Sequence, residues 1–489
     1  MRAIVLAGWA MGLMATACAA QTEPTGAADA WTTTDATVVR ARDLVARGEF
    51  AAAERALKSA TEGDARAREE MIDVIRRIRW EYGLDEKALL EKLAKSIPDV
   101  RGEDTARWRA AGELQHRVID GRVWYFRREP SNLFRFSESA RERRDSFAAN
   151  RSAAPTPSFV LEKHLAEVIA ASERAGKQHV APVRHRVNYT LTVPRDHPLV
   201  KRGATARCWL PYPQEHERQR EIKLLGTTPE KHFIAPPGTP QRTVYLERQV
   251  EDGTGPMTFN VRFEYVSMAY YPKLDDELAK PLPATFEAKH LAERAPHIVF
   301  TPLLKETVAK VVGDETNPLK RARRIFEFVN NEIRYCAEEE YGTIPNFTEK
   351  ALRTRKGDSG IQGMIFIAMC RAAGVPARWQ SGWETKPGNW NMHDWAEFYV
   401  EPWGWLPADP SYGLRTSDDP KVRYFYFGHQ DSYRLIVNLD YGHELVPPKR
   451  SLRSEPADFQ RGEVEIDGKN LYFDEWDWKM EFEWEPLGT

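Results

Sequence analysis

The stretch from Lys356 to Tyr412 constrains this chain more than any other. It reads KGDSGIQGMIFIAMCRAAGVPARWQSGW, then NMHDWAEFYV, then GWLPADPSY. A glycine-aspartate turn leads into Ser359 and an apolar run to Ala373. Gly374 closes that run and Pro376 stops it, which spells a buried helix with a left-handed terminator. His393 opens an alternating run read as a strand, and Asp409 ends the next one. A hydroxyl at a helix start, an imidazole and a carboxylate, in that order, match a nucleophile, base and orienting acid for acyl transfer at amide carbonyls.

The local physics supports such a site. A helix N-terminus carries about half a positive charge and unpaired backbone N–H groups, which suit a thiolate or a forming oxyanion. Asp358-Ser359 equally suits ordinary N-capping, so the weight rests on the histidine and aspartate downstream. A strand, a Glu401-Pro402-Trp403-Gly404 turn and a return strand bring His393 and Asp409 together across a hairpin. Asp409 would then set the imidazole tautomer while the other ring nitrogen faces Ser359. Trp379, Trp383, Trp390, Trp395, Trp403 and Trp405 either line a groove for a peptide or glycan or, as large aromatics usually do, pack the sheet.

Around this stretch the chain divides by composition. Residues 1–20 read as a secretory signal: Met1-Arg2, a short apolar run from Ile4 to Met14, then small residues. Cys18 at its end leaves two readings open, a lipid-anchored protein and a freely released one. Residues 21–150 read as a helical accessory domain, with apolar Met71, Val74, Ile75 and Ile78 on one helix face and Asp120-Gly121 as a two-residue hairpin turn. Helices followed by a hairpin also suit a winged-helix DNA-binding module. The secretory start and the near balance of 70 basic and 72 acidic residues weigh against nucleic acid.

Residues 151–180 read as a linker and one helix. Residues 181–275 alternate in the manner of an antiparallel β-sandwich, with Val187, Tyr189, Leu191 and Val193 on one face. Residues 276–435 form the core that carries the motif, with a helix from Pro318 to Tyr335, and residues 436–489 a C-terminal β extension packed onto that core. The expected class is therefore multidomain α+β. Cys18, Cys208, Cys336 and Cys370 form no CxxC pair or His/Cys cluster, and no nucleotide or calcium loop occurs, so neither metal nor cofactor is implied.

The GD-nucleophile turn, CRAAGVPAR, SGW, HDWAEFYV and GWLPADPSYG together resemble the transglutaminase-like domain of the papain-like thiol superfamily over residues 300–415. Residues 181–275, with WLPYP, resemble the β-domain that precedes this core in bacterial secreted members. The resemblance implies helices packed on an antiparallel sheet. It also implies a cysteine nucleophile, a histidine base and an aspartate orienter acting without metal on a peptide, a protein or a cell-envelope polymer. His393 and Asp409 match. Ser359 departs from the pattern at the attacking atom, and a hydroxyl needs a general base where a thiol is already partly ionised. Cys370 lies about 16 Å further along the same helix and cannot substitute; nothing in the sequence around Cys336 activates it. Two expectations result: a secreted or periplasmic amide acyltransferase or hydrolase weakened by Ser359, or an inert module that keeps the cleft for binding.

Overall fold

The computed structural model describes residues 30–148, 159–251 and 255–488. The signal segment with Cys18 and the 151–158 linker lie outside them. The amino-terminal part begins with α1 (Ala36–Ala46), whose cap Asp35 accepts bonds from the Thr37 and Val38 amides. The chain turns at Gly48, φ +82°, into α2 (Phe50–Ser59) and α3 (Ala65–Glu81). Met71, Val74, Ile75 and Ile78 of α3 are buried, as their spacing predicts. Helices α4 (Glu86–Ala94) and α5 (Gly102–Ala110) precede the β1 (His116–Ile119) and β2 (Arg122–Tyr125) hairpin. Its turn places Asp120 and Gly121 at φ 49° and 80°, the left-handed pair that a two-residue hairpin loop demands. Two further helices, α6 (Ser131–Phe136) and α7 (Glu138–Ala148), carry too little apolar periodicity to stand out in sequence.

Helix α8 (Leu161–Ala175), closed by left-handed Gly176, packs Leu165, Val168 and Ile169 into the central core. Six strands follow: β3 (His179–Val193), β4 (Thr205–Pro211), β5 (Gln219–Thr228), β6 (His232–Ile234), β7 (Thr243–Gln249) and β8 (Met257–Tyr270). On β3 and β8 the buried residues pair directly, Val187 with Phe263, Tyr189 with Val261, Leu191 with Phe259 and Val193 with Met257. That alternation fills the space between two sheets.

The core opens with α9 (Pro302–Val312) and α10 (Pro318–Glu332). Asn317 caps α10 through the Leu319 and Lys320 amides, with proline at the first position where no N–H is needed. The helix ends at Glu332, not at Tyr335 as its pattern suggests. Arg334–Tyr335 instead form β9, which pairs in parallel with β10 (Lys356–Gly357) on the far side of α11 (Phe347–Thr354). Then comes α12 (Ser359–Ala372), in which every residue from Ser359 to Arg371 is buried. A long hairpin, β11 (Ala377–Lys386) and β12 (Asn389–Val400), joins β13 (Gly404–Ala408) and, beyond the short α13 (Pro420–Arg423), β14 (Arg434–Asn438) in an antiparallel sheet of order β13-β12-β11-β14.

The carboxyl-terminal strands depart from the expectation of an extension on the core. They complete the sandwich. β15 (Glu463–Ile466) pairs with β4 and with β16 (Lys469–Leu471), and β17 (Asp477–Pro486) runs antiparallel to β3. The two sheets are β16-β15-β4-β7-β6 and β17-β3-β8-β5. Alternation in the tail marks strands but not their partners, and the free edges of β3 and β4 supply them.

Truncation after Gly462 would remove buried Val464, Ile466, Leu471, Trp476 and Met480 from the sandwich core. At about 1.5–3 kcal/mol each, that loss rivals the total stability of a folded domain, about 5–15 kcal/mol. The truncated chain is expected to lose its cooperative urea transition, read by tryptophan fluorescence. A transition of unchanged midpoint would show the tail to be dispensable.

Candidate active site

β12 decides the site because its successive side chains point to opposite faces of the sheet. Asp394, Ala396, Phe398 and Val400 project toward α12, where the last three join its apolar core. His393, Trp395 and Glu397 project the other way. There the His393 and Trp395 rings lie 5.9 Å apart, and Glu397 pairs with Arg378 at 2.7 Å and with Arg218 of the sandwich. Burial alone would raise the Glu397 carboxyl, but the two guanidinium groups bring it down to about 2.

On that second face the expected pair forms. His393 Nε2 lies 2.7 Å from Asp409 Oδ2, leaving Nδ1 as the nitrogen turned away from the carboxylate. The same Asp409 oxygen receives Arg434 Nη2 at 2.8 Å, and Oδ1 accepts from Ser411 Oγ and the Tyr412 amide at 2.8 and 3.1 Å. Burial works against the Asp409 charge, but His393 and Arg434 outweigh it and hold the carboxyl far below its usual range. Arg434 also bonds Asp431 at 3.3 Å and lies 4.6 Å over the Tyr412 ring. Tyr412 in turn stands edge-on to His393 at 5.1 Å. The imidazole is thus walled in by two aromatic rings and fixed by one carboxylate.

Ser359 is on the other side. Its Oγ donates to Asp394 Oδ2 at 3.2 Å, and no hydrogen bond joins it to His393 among the described residues. The expected chain of hydroxyl, imidazole and carboxylate is therefore made only in its second half. The physical reason is one residue of strand register: the acid beside His393 takes the position facing the helix N-terminus.

Ser359 enters a dense polar cluster there. Asp358 caps α12 by accepting from the Ile361 amide at 3.2 Å. The Tyr341 hydroxyl lies 2.8 Å from Asp358 Oδ1 and 3.3 Å from Asp394 Oδ2, so one hydroxyl sits between two carboxyls. Gln460 Nε2 donates to Asp394 Oδ1 at 2.7 Å and to the His393 carbonyl at 3.0 Å. Tyr341 rides so close that a Cβ on Gly360 would sit 2.0 Å from its hydroxyl, which explains glycine at that position. Burial, then the Asp458 and Asp358 charges, push the Asp394 carboxyl well up. Burial and Glu338 raise Asp358 to about 6, and burial raises Asp458 to about 7.

The Tyr341 segment is pinned from outside by the amino-terminal helices. Trp31 Nε1 donates to the Gly342 carbonyl at 3.0 Å, Asn132 Nδ2 to the Ala337 carbonyl at 2.8 Å and the Tyr82 hydroxyl to Glu339 at 2.8 Å. Cys336 offers no replacement nucleophile. It is buried with Sγ 3.2 Å from Glu338, and burial and that carboxylate push its thiol far up. Trp379 Nε1 is taken by Ser381; the Gln380 carbonyl accepts from Trp395 Nε1 and Arg218, while its buried Nε2 has no hydrogen-bond partner among the described residues. Trp379, Trp383 and Trp395 pack the sheet interior, while Trp390, Trp403 and Trp405 are half-buried. Two cavities of about 170 and 350 Å³ lie by Lys280 and Arg321 and by Tyr271 and Tyr424, and Ser359 lines neither. Among the described residues no group of three or more His, Cys, Asp or Glu is placed to hold a metal ion.

Sequence reasoning passed over Asp394, Tyr341, Arg434 and Gln460. Two of these carry a signal: an arginine at the head of the apolar run RLIVN and an acid inside HDWAEF each put a charge in a buried stretch of strand. Tyr341 and Gln460 come from loops, and nothing local marks them.

The acid cluster has a pH consequence. A carboxyl whose folded pKa exceeds its unfolded value, about 4, holds its proton more tightly when folded. Its stabilisation is complete below about pH 4 and is lost as pH rises through the folded values, about 6 for Asp358 and 7 for Asp458. Urea midpoints are expected to fall across that window in the parent chain and to fall less in Asp358→Asn. Parallel pH profiles would contradict the cluster.

Residues 305–410 match the Transglutaminase-like superfamily. An uncharacterized protein of Haemophilus influenzae is 31% identical over 203 residues, a match covering 34% of this chain and 54% of that protein. The uncharacterized protein YebA of Bacillus subtilis is 26% identical over 136 residues, covering 23% and 18%. This chain thus spans about half, or less, of the length of these curated relatives. Among solved structures, a provisionally assigned cysteine protease from Cytophaga hutchinsonii aligns over 64% of this chain and 93% of its own at 15% identity and TM-score 0.41. The periplasmic domain of TgpA from Pseudomonas aeruginosa aligns over 53% and 95% at 17% identity and TM-score 0.25. TM-scores this low speak to neither substrate nor activity. Residues 305–410, with helix α12 packed on the four-stranded antiparallel sheet and His393 paired to Asp409, thus match the Transglutaminase-like superfamily within a larger α+β chain.

Proposed function

We propose that this chain is a secreted or periplasmic transglutaminase-like module that binds a peptide or a cell-envelope polymer and carries out little or no acyl transfer. The observation that supports this reading is the Ser359 hydroxyl, committed to Asp394 and not to the imidazole. Attack by serine needs its proton taken as the bond to carbon forms, and the group bonded to it is a buried carboxyl pushed toward its neutral, proton-holding form. Absent that base, the hydroxyl is a poor nucleophile. Export rests on the residue 1–20 pattern, with a lipid on Cys18 as the membrane link in the anchored form.

A second reading is a slow amide hydrolase or acyltransferase. It is favoured by the His393–Asp409 pair at 2.7 Å, backed by Arg434. An imidazole held in one orientation by a carboxylate is the arrangement a general base requires.

An activated-ester and an anilide probe separate the two. The parent chain is expected to turn over neither above the rate of Ser359→Ala. Turnover that falls at least about tenfold in Ser359→Ala and in His393→Ala would establish the slow enzyme and dismiss the binding reading.

A further inference from the structure

The contact between Ser359 and Asp394 has an effect separate from the identity of the nucleophile atom. We propose that Asp394 is a positioning residue: it draws the side chain at position 359 into the carboxylate face of β12, away from His393, so that a thiol placed there is not activated unless Asp394 is also removed. The proposal rests on reading 359 as the nucleophile position of the domain.

Geometry carries it. Asp394 Oδ2 is the hydrogen-bond partner of Ser359, and Asp394 is itself held by Gln460 and Tyr341, so it is not free to swing aside. It is 3% exposed, and water does not compete for the bond. Four more acids cluster around this end of α12: Asp358 at the cap, Glu338 from the loop before α11, and Asp458 and Glu455 from the segment before β15; Lys350 pairs with Glu338, Arg128 faces Asp358 and Arg461 faces Asp458 and Glu455. Burial and mutual repulsion already push Asp394, Asp358, Asp458 and Glu455 toward their protonated forms. A thiolate at position 359 would add one more buried negative charge to that crowd, which disfavours it against the help of the helix N-terminus. The molecule holds its own example in Cys336, whose Sγ sits 3.2 Å from the Glu338 carboxylate and whose thiol is pushed far up by burial and that charge. His393 makes no hydrogen bond to Ser359 among the described residues; its Nε2 is held by Asp409 and Ser359 Oγ by Asp394.

The test compares iodoacetamide alkylation at position 359, followed by mass spectrometry as a function of pH, in Ser359→Cys, Ser359→Cys/Asp394→Asn and the latter with His393→Ala. Among the described residues the native Cys208, Cys336 and Cys370 are buried, and reading the adduct at position 359 by mass separates it from any on Cys18. The single variant is expected to react slowly at neutral pH and speed up only in alkali. The Asp394→Asn double is expected to react at least about tenfold faster at neutral pH, a gain lost again with His393→Ala. Asparagine keeps the acceptor for Gln460; Asp394→Ala serves if it does not fold. If neither double variant folds, the profile of the single variant decides by itself. Fast, His393-dependent alkylation in the single variant would overturn the role of Asp394 while leaving the nucleophile position intact. A double variant no faster than the single, and indifferent to His393, would overturn both.

Discussion

A helix buried along its whole length must bring its N-terminal amides into the interior, and the rest of this molecule is arranged around that constraint. α12 is apolar on all sides and sits between the four-stranded sheet and the helices α9, α10 and α11. Its first-turn N–H groups cannot reach bulk water, so protein groups must meet them. Asp358 does so directly, and the positive end of the helix tolerates negative charge nearby. Tyr341, Asp394, Gln460 and the acids before β15 converge on the same end. That end also carries Ser359, the candidate nucleophile position, and it is filled by carboxyls pushed toward their protonated forms.

The two faces of β12 hold opposite electrostatic solutions to burial. On one, His393 bonds Asp409 and the Arg434 guanidinium sits between the Asp409 and Asp431 carboxylates, with both Asp409 oxygens engaged. On the other, Asp394 has hydrogen bonds from neutral groups, and the cost of its burial is met by holding its proton. Buried ion pairs are weak contributors to net stability, whereas an unpaired member is costly. The first face is therefore sound as structure in its own right, because each buried charge on it has a partner.

Distant segments make the site rigid. Arg77 of α3 donates to the Ser454 and Arg453 carbonyls at 2.9 and 2.7 Å, joining the amino-terminal helices to the loop that carries Asp458 and Gln460. Glu340, next to Tyr341, gathers Arg127, Arg128 and Arg461 from two separate parts of the chain. Arg218 ties the sandwich to Glu397 of β12 through a buried pair. The helical accessory region and the sandwich thus act as braces on both faces of the strand that bears His393.

Local physics was legible from the amino acids alone. Helix spacing in α3, the cap and proline of α10, the Asp120-Gly121 turn, the glycine stop of α12 and the strands that carry His393 and Asp409 each arise from bonds and contacts between near neighbours in the chain. The His393–Asp409 pair was legible for the same reason, since one hairpin encloses both. What folding over long distances decided was different. The tail strands found β3 and β4 far back in the chain, because a free strand edge states only that a partner is needed. The side of the sheet on which Ser359 found a partner depended on how α12 settles against β12, and a shift of one residue along a strand exchanges one face for the other. Sequence determined which chemical groups were present and in what order; tertiary packing determined that the hydroxyl would meet an aspartic acid and the imidazole would not, because facing is a property of assembled sheets and no single segment carries it.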